Sequence, residues 1–242
     1  MSEVSKFYDK FSEKQAKSGI HKRHLLILEW LKKFGLQKTH SILEIGCGVG
    51  TVTSLIADYA ARGKIVANDI SELNIEKCKS ALKNYTNISY LLGDISEQKL
   101  TEKFDVIVLP DVLEHIPKEA HMNLFKALHR VLHDNGFIAI HIPCPYYLQW
   151  VIENRPEELQ IIDQPLHSDF LGNIFYQNGF YVVHMQSYSI WNDKPDYQII
   201  KLCKSSLLSS FNPLPKENNS FLTKVIKRVK RTIGVNIYNL PQ

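Results

Sequence analysis

Short apolar runs alternate with helical patterns along most of the chain, and this alternation limits the possible fold more than any other feature. Five runs rich in Ile, Leu and Val have the length of strands, at residues 41–45, 64–69, 88–92, 104–110 and 137–142. Helical patterns precede and separate them, at residues 22–34, 51–61, 71–84 and 118–132. The runs are continuous rather than alternating, which is typical of strands buried on both faces. The sequence therefore predicts an α/β fold with a doubly wound, mostly parallel sheet and helices on both faces.

The first predicted strand ends in an acid and a glycine loop, in the sequence LEIGCGVG. A glycine loop at the carboxyl end of a strand lets backbone N–H groups and the next helix approach a ligand closely. Gly46, Gly48 and Gly50 stand at every second position, whereas a dinucleotide loop has its third glycine three places after the second. Glu44, just before the loop, would repel a pyrophosphate and would suit a ligand that carries a cationic group.

Acids also follow the next strands of the series. Asp69 ends the second strand, where a carboxylate can accept hydrogen bonds from both hydroxyls of a ribose. Asp94 ends the third strand, where it either meets an adenine edge or caps the following helix. The fourth strand is followed by Asp111, Glu114 and His115. A ligand that combines adenosine with a positive centre fits these acids best, and S-adenosylmethionine has both.

The stretches LEIGCGVG, VANDIS, LLGDI and FDVIVLPDVLEHI resemble the successive motifs of the class I S-adenosylmethionine-dependent methyltransferases. The resemblance is strongest to the branch that includes ubiquinone and sugar methyltransferases, and it covers about residues 20–204. It implies a Rossmann-like methyltransferase fold with seven strands in the order 3-2-1-4-5-7-6, in which the seventh strand is antiparallel. It also implies S-adenosyl-L-methionine as the cofactor.

The resemblance assigns cofactor contacts to particular residues. For the methionine part it implies Glu44, Gly46, Cys47, Gly48 and Gly50. For the ribose it implies Asp69 with the adjoining Ile70, and for the adenine Asp94 and Ile95. The floor near the sulfonium would be lined by Leu109, Pro110 and Asp111.

Methyl transfer to an alcohol also needs a proton acceptor within hydrogen-bond reach. The first candidate is His167, because it begins the helix after the predicted acceptor lid. His141, His115 and Asp169 are further candidates for this catalytic role. The structural alternatives are His167 as a helix-start residue with Ser168 or Asp169 as its cap, His141 as a core residue and His115 as part of a solvated loop. No spacing of Cys, His or acidic residues predicts a metal site.

The predicted domain organisation has three parts. They are an N-terminal helical cap (1–37), a methyltransferase catalytic domain (38–204) with an acceptor lid inserted at 143–166, and a linker with a basic amphipathic helix (205–242). Aromatic platforms for an acceptor are expected in the lid, at Tyr146, Tyr147 and Trp150. Residues of the cap that could fold over the cofactor are Tyr8, His21 and Arg23.

The positive charge of the chain is concentrated at its C-terminal end. The net charge is +4, and residues 201–242 contain eight Lys and Arg against one acid, so the tail contributes +7 and the rest about −3. In residues 221–234 the basic residues accompany an apolar helical face, which would either lie on an anionic membrane or dock on protein. No signal peptide or membrane-spanning run is evident, so a cytoplasmic protein is expected, or one peripheral to the cytoplasmic face of the membrane.

The motifs together predict a methyltransferase that acts on a small molecule or glycan, on oxygen in preference to nitrogen. Alternatives are a non-catalytic protein of the same fold that binds the cofactor, a methyltransferase of RNA or protein, and a nucleotide-sugar or NAD-dependent oxidoreductase. The fourth strand is followed by LPDV and not by an NPPY-type tetrapeptide, which disfavours adenine and glutamine amide N-methylation. The chain without its basic tail is slightly acidic, which gives no strong indication of nucleic-acid binding.

Overall fold

Helices cover both faces of one seven-stranded sheet in residues 19–208, the part of the chain that the computed structural model describes. The strands are β1 (Ser41–Ile45), β2 (Lys64–Asp69), β3 (Ile88–Leu92), β4 (Phe104–Pro110), β5 (Leu132–Pro143), β6 (Phe180–Tyr188) and β7 (Tyr197–Lys204). The helices are α1 (Lys22–Phe34), α2 (Thr51–Tyr59), α3 (Glu72–Ala81), α4 (His121–Val131), α5 (Pro145–Asn154) and α6 (Ser168–Gln177). Short 3₁₀ turns lie at Leu113–His115, Lys118–Ala120 and Pro156–Glu158.

The strand order is β3-β2-β1-β4-β5-β7-β6. Strands β1 to β5 pair in parallel, and β7 runs antiparallel to both β5 and β6. The predicted fold class and the implied strand order are both confirmed. The order of the strands reverses between β1 and β4, so a crevice opens there at the carboxyl edge of the sheet, where ligands bind in open parallel sheets.

Adjacent residues of the central strand β4 face opposite layers of the core. Val106 packs with Ile56 of α2 in one apolar cluster. Ile107 packs on the other face with Phe125 of α4 and Phe175 of α6, whose ring centroids lie 5.0 Å apart. Burial on both faces fixes the register of β4, and it thereby fixes the place where the residues after this strand emerge at the sheet edge.

Strand β5 begins at Leu132, so the prediction that it begins at residue 137 is corrected. Leu132 pairs with Phe104, and the next paired position is Phe137 opposite Val106. Residues 133–135 lie exposed between these two pairs. Buried Leu132 keeps its place in the sheet, so the polar residues after it form a bulge within the strand instead of a connection before it.

The predicted lid contains a regular helix, α5, that the sequence pattern did not indicate. Its buried face includes Leu148 and Val151, which are one helical turn apart. Its outer face carries two more large apolar residues, Tyr146 and Trp150, which are 77% and 47% exposed. Because apolar residues lie on both faces of α5, the sequence shows no helical period there. The proline at its first position is the one local feature that marks the start of the helix.

Several predictions concern residues outside the described range. These are Tyr8, the first 18 residues of the predicted N-terminal cap, and the basic helix at 221–234. The proposed division at residues 37 and 204 also stays a prediction. Among residues 19–208, no helix combines the length and the apolar character that a bilayer crossing requires.

Candidate active site

Two adjoining cavities open at the carboxyl edge of the sheet. The Glu44 cavity has a volume of about 490 Å³ and lies between the end of β1, the start of α1 and the lid (residues 143–166). The Asp69 cavity has a volume of about 370 Å³ and lies at the ends of β2 and β3. Residues that line both cavities are Gly46, Gly48, Asp111, His115 and Gln160.

The glycine loop between β1 and α2 forms part of the wall of both cavities. Gly46, Gly48 and Gly50 have φ values of 74°, 53° and 90°, in the left-handed region that favours glycine. A Cβ atom on Gly50 would lie 2.8 Å from the Sγ atom of Cys78, so a side chain does not fit there. The backbone N–H of Gly46 donates to the carbonyl oxygen of Asn68, 2.8 Å away, which fixes the loop on β2. Gly46 and Gly48 thus present bare backbone to the cavities, whereas Gly50, a predicted cofactor contact, lines neither of them.

Glu44 is a fully buried acid in the wall of the Glu44 cavity. It is 0% exposed, and among the described residues neither of its side-chain oxygens has a hydrogen-bond partner. Burial raises the pKa of Glu44 to about 8. Because an unpartnered buried carboxyl costs folding energy, its position in the cavity wall indicates a ligand with a cationic or hydrogen-bond-donating group.

Asp69 holds the glycine loop and also lines the second cavity. One carboxylate oxygen accepts from the backbone N–H of Gly48 at 2.9 Å. The other accepts from the backbone N–H of Ser71 at 2.9 Å and from the side chain of Asn74 at 3.2 Å. Burial raises the pKa of Asp69, although these donors oppose that effect. The neighbouring Ile70 is 45% exposed and lines the same cavity, where it offers an apolar surface beside the carboxylate.

The far end of the Asp69 cavity is lined by Asp94 and Ile95. Asp94 is exposed, and its Oδ1 accepts from the backbone N–H of Ser96 at 2.7 Å, so it stabilises the turn after β3. Ile95 is 4% exposed and gives this end of the cavity an apolar wall. No Lys or Arg of the described range lines this cavity. A cavity lined by acids and apolar side chains, without a Lys or Arg, fits an uncharged nucleoside better than a phosphate-bearing one.

Asp111 lies where the two cavities meet. Its φ of 54° is the only positive value of a non-glycine residue in the described range, and its backbone N–H donates to the carbonyl oxygen of His141 at 2.8 Å. The carboxylate pairs with Nε of Arg23 at 3.1 Å and accepts a hydrogen bond from Nδ1 of His141. Burial alone would raise the pKa of Asp111, but Arg23 and His141 outweigh it and lower the pKa to about 2. Asp111 is therefore an anion held in a fixed position.

His141 lies behind Asp111 and lines neither cavity. It is 1% exposed, and its Nε2 accepts from the hydroxyl of Tyr188 at 2.7 Å. The ring of Tyr197 stacks on it with 4.9 Å between centroids, and the Tyr197 hydroxyl accepts from Arg23 at 3.1 Å. Both ring nitrogens of His141 are thus engaged within the protein, so this residue positions Asp111 and does not face a ligand.

His115 joins the segment after β4 to the lid. Its Nδ1 donates to the carbonyl oxygen of Ile162 at 2.7 Å and lies 3.2 Å from the carboxylate of Asp163. Its Nε2 lies 3.0 Å from the side-chain amide of Gln160 and 3.8 Å from the carboxylate of Glu114. Burial alone would lower the pKa of His115, but the two acids raise it to about 9. At neutral pH this imidazolium holds the lid against the sheet.

The structure brings together most of the predicted site residues. The Glu44 cavity is lined by Glu44, Gly46, Cys47, Gly48, Pro110, Asp111 and His115, and the Asp69 cavity by Asp69, Ile70, Asp94 and Ile95. Leu109 is 0% exposed and packs in the core, outside both cavities. His167 is exposed, lies edge-on to the ring of Tyr146 and lines neither cavity. The binding and catalytic roles of all these residues stay predictions.

Three further residues of the site have no clear signal in the sequence. Gln160 and Asp163 are ordinary polar residues of an irregular part of the lid, and only their contacts with His115 distinguish them. Tyr197 lines the Glu44 cavity because it begins β7 directly opposite Pro143, the last residue of β5. The antiparallel insertion of β7 beside β5 is the signal that could have located it.

Comparison with known proteins agrees with this geometry. Residues 42–136 match a family model described as a methyltransferase domain. The chain is 30% identical over 174 residues to a malonyl-[acyl-carrier protein] O-methyltransferase of Anoxybacillus flavithermus, an alignment that covers 68% of this chain and 60% of the relative. It is also 30% identical over 105 residues to a ubiquinone biosynthesis O-methyltransferase of Hydrogenovibrio crunogenus, covering 42% of each chain. The chain thus spans less than two thirds of the length of these relatives.

The fold is similar to that of solved structures. One is an S-adenosylmethionine-dependent methyltransferase from Clostridium acetobutylicum, with a TM-score of 0.65, 14% sequence identity, and coverage of 81% of this chain and 98% of that one. Another is magnesium protoporphyrin IX methyltransferase from Synechocystis with bound SAH, with a TM-score of 0.59, 19% identity, and coverage of 75% and 81%. At these identities the similarity concerns the fold.

Proposed function

Because the chain belongs to the class I S-adenosylmethionine-dependent methyltransferases, we propose that it methylates an oxygen atom of a small molecule or glycan bound in the Glu44 cavity. The observation that carries this proposal is the buried carboxyl of Glu44 in the wall of the Glu44 cavity, whose oxygens have no hydrogen-bond partner among the described residues. A cofactor that joins a cationic amino-acid part to an adenosine part would suit this pair of adjoining cavities. The Asp69 cavity would take the nucleoside, and the Glu44 cavity would take the rest together with the acceptor.

The residues present fit this cofactor. Asp69 would accept hydrogen bonds from the ribose hydroxyls, Asp94 and Ile95 would contact the adenine, and Glu44 with the glycine loop would hold the amino-acid part. When bound, S-adenosylmethionine supplies a methyl group made electrophilic by a positively charged sulfur. The protein's contribution to such a transfer is mainly to align the acceptor and to exclude water. Asp111, anionic and fixed at the junction of the cavities, would help to place that positive charge.

The acceptor side of the Glu44 cavity combines ring surfaces with polar groups. Tyr147 and Leu148 of α5 and Tyr197 of β7 supply apolar surface, and Arg23 and Asp163 supply polar groups. Such a wall supports a compact acceptor with a ring or short chain and a few hydroxyl groups. Methylation on oxygen is further supported by the two relatives named above as O-methyltransferases.

Methylation of an amine is a second candidate, and it is favoured by the charge of the same cavity. Its acidic lining residues are Glu44, Asp111, Glu114, Glu158 and Asp163, whereas Arg23 is its only Arg or Lys in the described range. An amine acceptor would be attracted to this wall. One relative is a (S)-coclaurine N-methyltransferase of Thalictrum flavum, 30% identical over 79 residues that cover 32% of this chain and 22% of the relative.

The test is transfer of a labelled methyl group from S-adenosylmethionine to the low-molecular-weight fraction of a cell extract. Labelled products would be separated by mass spectrometry into methyl ethers, methyl esters and N-methyl amines. A labelled ether or ester supports the proposal, and a labelled amine selects the second candidate. If the protein binds S-adenosylmethionine but labels only RNA or protein, or nothing, the proposed function is wrong.

A further inference from the structure

We propose that Glu114 accepts the proton that the acceptor hydroxyl loses during methylation. This inference rests on the proposed function and adds to it a defined catalytic role for Glu114. Glu114 lies in the 3₁₀ turn after β4 and lines the Glu44 cavity. It is 2% exposed, and its Oε2 has no hydrogen-bond partner among the described residues.

The other acids of the cavity are already engaged or differently placed. Asp111 is bound by Arg23 and His141, which leaves it a weak base. Asp163 accepts from the backbone N–H of Gln160 and contacts His115. Glu114 is the buried acid of the acceptor side that retains an unpartnered oxygen.

The two remaining acids of the cavity are Glu158 and Glu44. Glu158 is 48% exposed in its side chain and pairs with Arg155 at 3.1 Å, so it lies in water at the rim. Glu44 is buried beside the glycine loop, where the proposed cofactor needs it as a partner. Neither is placed to take a proton from an acceptor that lies between the lid and the turn after β4.

The surroundings of Glu114 suit a proton acceptor near neutral pH. Burial raises its pKa to about 8, the imidazolium of His115 opposes that rise, and Asp111 and Asp163 add to it. The charged and titratable groups that face Glu114 come from α1, the segment after β4, the lid and β7. They are Arg23, Asp111, His115, Asp163 and Tyr197. A carboxyl whose pKa lies close to the working pH can both take up a proton and release it, which is what general base catalysis requires.

The proposed step is balanced in atoms and charge. The O–H bond of the acceptor breaks, and its proton forms a bond to the ionised Glu114 carboxylate. The electron pair stays on the acceptor oxygen, which forms the bond to the methyl carbon while the carbon–sulfur bond breaks and leaves a neutral thioether. Release of the proton from Glu114 to water through the open cavity then restores the carboxylate.

The first test measures protonation directly and needs no acceptor. Infrared spectra of the protein saturated with S-adenosylhomocysteine would be recorded from pH 5 to pH 10 for the wild type, Glu114→Gln and Glu119→Gln. Glu119 is an exposed acid five residues further on that lines neither cavity, so it controls for the loss of one charge. We expect a protonated-carboxyl band at pH 6 that disappears toward pH 9 in the wild type and the control. Glu44 contributes to the same region of the spectrum, so the signal of Glu114 is the difference between the wild type and Glu114→Gln. The band should be smaller in Glu114→Gln, and an unchanged band in that variant overturns the proposal.

The second test follows turnover with labelled S-adenosylmethionine and the extract fraction described above. Glu114→Gln should lower turnover by about 10²- to 10⁴-fold, as expected for loss of a general base, with S-adenosylhomocysteine affinity within about threefold of the wild type. Glu114→Asp, which keeps a carboxylate, should recover part of the activity with a changed pH profile. Undiminished turnover of Glu114→Gln overturns the proposal. A wild type that binds the cofactor but transfers nothing contradicts the proposed function instead, and the infrared result still decides the protonation of Glu114.

Discussion

Replacement of Glu44 by Gln should stabilise the ligand-free protein in a pH-dependent way. The pKa of Glu44 is raised by burial from its ordinary value of 4.5 to about 8. Between these values the folded protein holds one proton more than the unfolded chain, so this residue lowers stability as the pH rises. Each pH unit in this window costs about 1.4 kcal/mol. The cost is therefore about 0.8 kcal/mol at pH 5 and about 3 kcal/mol at pH 7.

The measurement is urea unfolding of the wild type and Glu44→Gln at pH 5 and pH 7. The free energy of unfolding of the variant, relative to the wild type, should be about 2 kcal/mol higher at pH 7 than at pH 5. The cost of burying the Gln amide is the same at both pH values, and the pH-dependent contribution of Glu114 is the same in both proteins, so both cancel in this difference. Glu119→Gln, an exposed control, should show no such difference.

The same variant should bind S-adenosylmethionine at least tenfold more weakly, because the amide cannot supply a negative charge to a cationic ligand. Stabilisation of the protein together with loss of affinity would show that Glu44 is kept for the ligand at the expense of the fold. An equal stability difference at both pH values would refute this reasoning, since Glu44 would then carry no buried proton. Unchanged affinity would show that the cavity holds its ligand by other groups.

Three further predictions concern the same edge of the sheet. Asp69→Ala should weaken S-adenosylmethionine binding at least tenfold in calorimetry, since hydrogen bonds to charged groups contribute roughly 1.5–3 kcal/mol each; unchanged affinity would remove Asp69 from the site. Gly48→Val should abolish binding while circular dichroism stays near that of the wild type, because φ is 53° there and the loop borders both cavities; full affinity would show that the loop is only a turn. His141→Ala should raise the pKa of Asp111 and move acid unfolding to higher pH, because a carboxyl with a depressed pKa loses its stabilising effect as the pH falls toward that value; an unmoved acid transition would show that Arg23 alone fixes the charge.

The cofactor side of the site could be predicted because it depends on local sequence. Parallel strands end at one edge, so Glu44 and Asp69 had to come close once β1 and β2 were recognised as neighbours. The positive φ values of the glycine loop likewise follow from residue type. Leu109 was placed too near the surface, because a strand residue two places before Asp111 points into the core when helices cover both faces.

The acceptor side could not be predicted, because its contacts join distant parts of the chain. The apolar surroundings of His141 in the sequence allowed either a core or a catalytic position and did not show that Asp111 would occupy the space in front of it. His167 follows the lid in sequence, yet the irregular path of the lid leaves it exposed beside Tyr146. Arg23 was expected near the cofactor, but its contacts with Asp111 and Tyr197 could not be foreseen, because they arise from the packing of the first turn of α1 beside β7.

Two of the contacts that hold the lid to the turn after β4 use main-chain atoms of the lid. The carbonyl oxygen of Ile162 accepts from His115, and the backbone N–H of Gln164 donates to the carbonyl oxygen of Glu114 at 3.1 Å. These anchors do not depend on which side chains the lid carries. Mutations at the cavity-facing positions of α5 can therefore accumulate without detaching the lid, which makes this segment the natural place for evolution, or for directed evolution, to change the acceptor while the cofactor half stays constant.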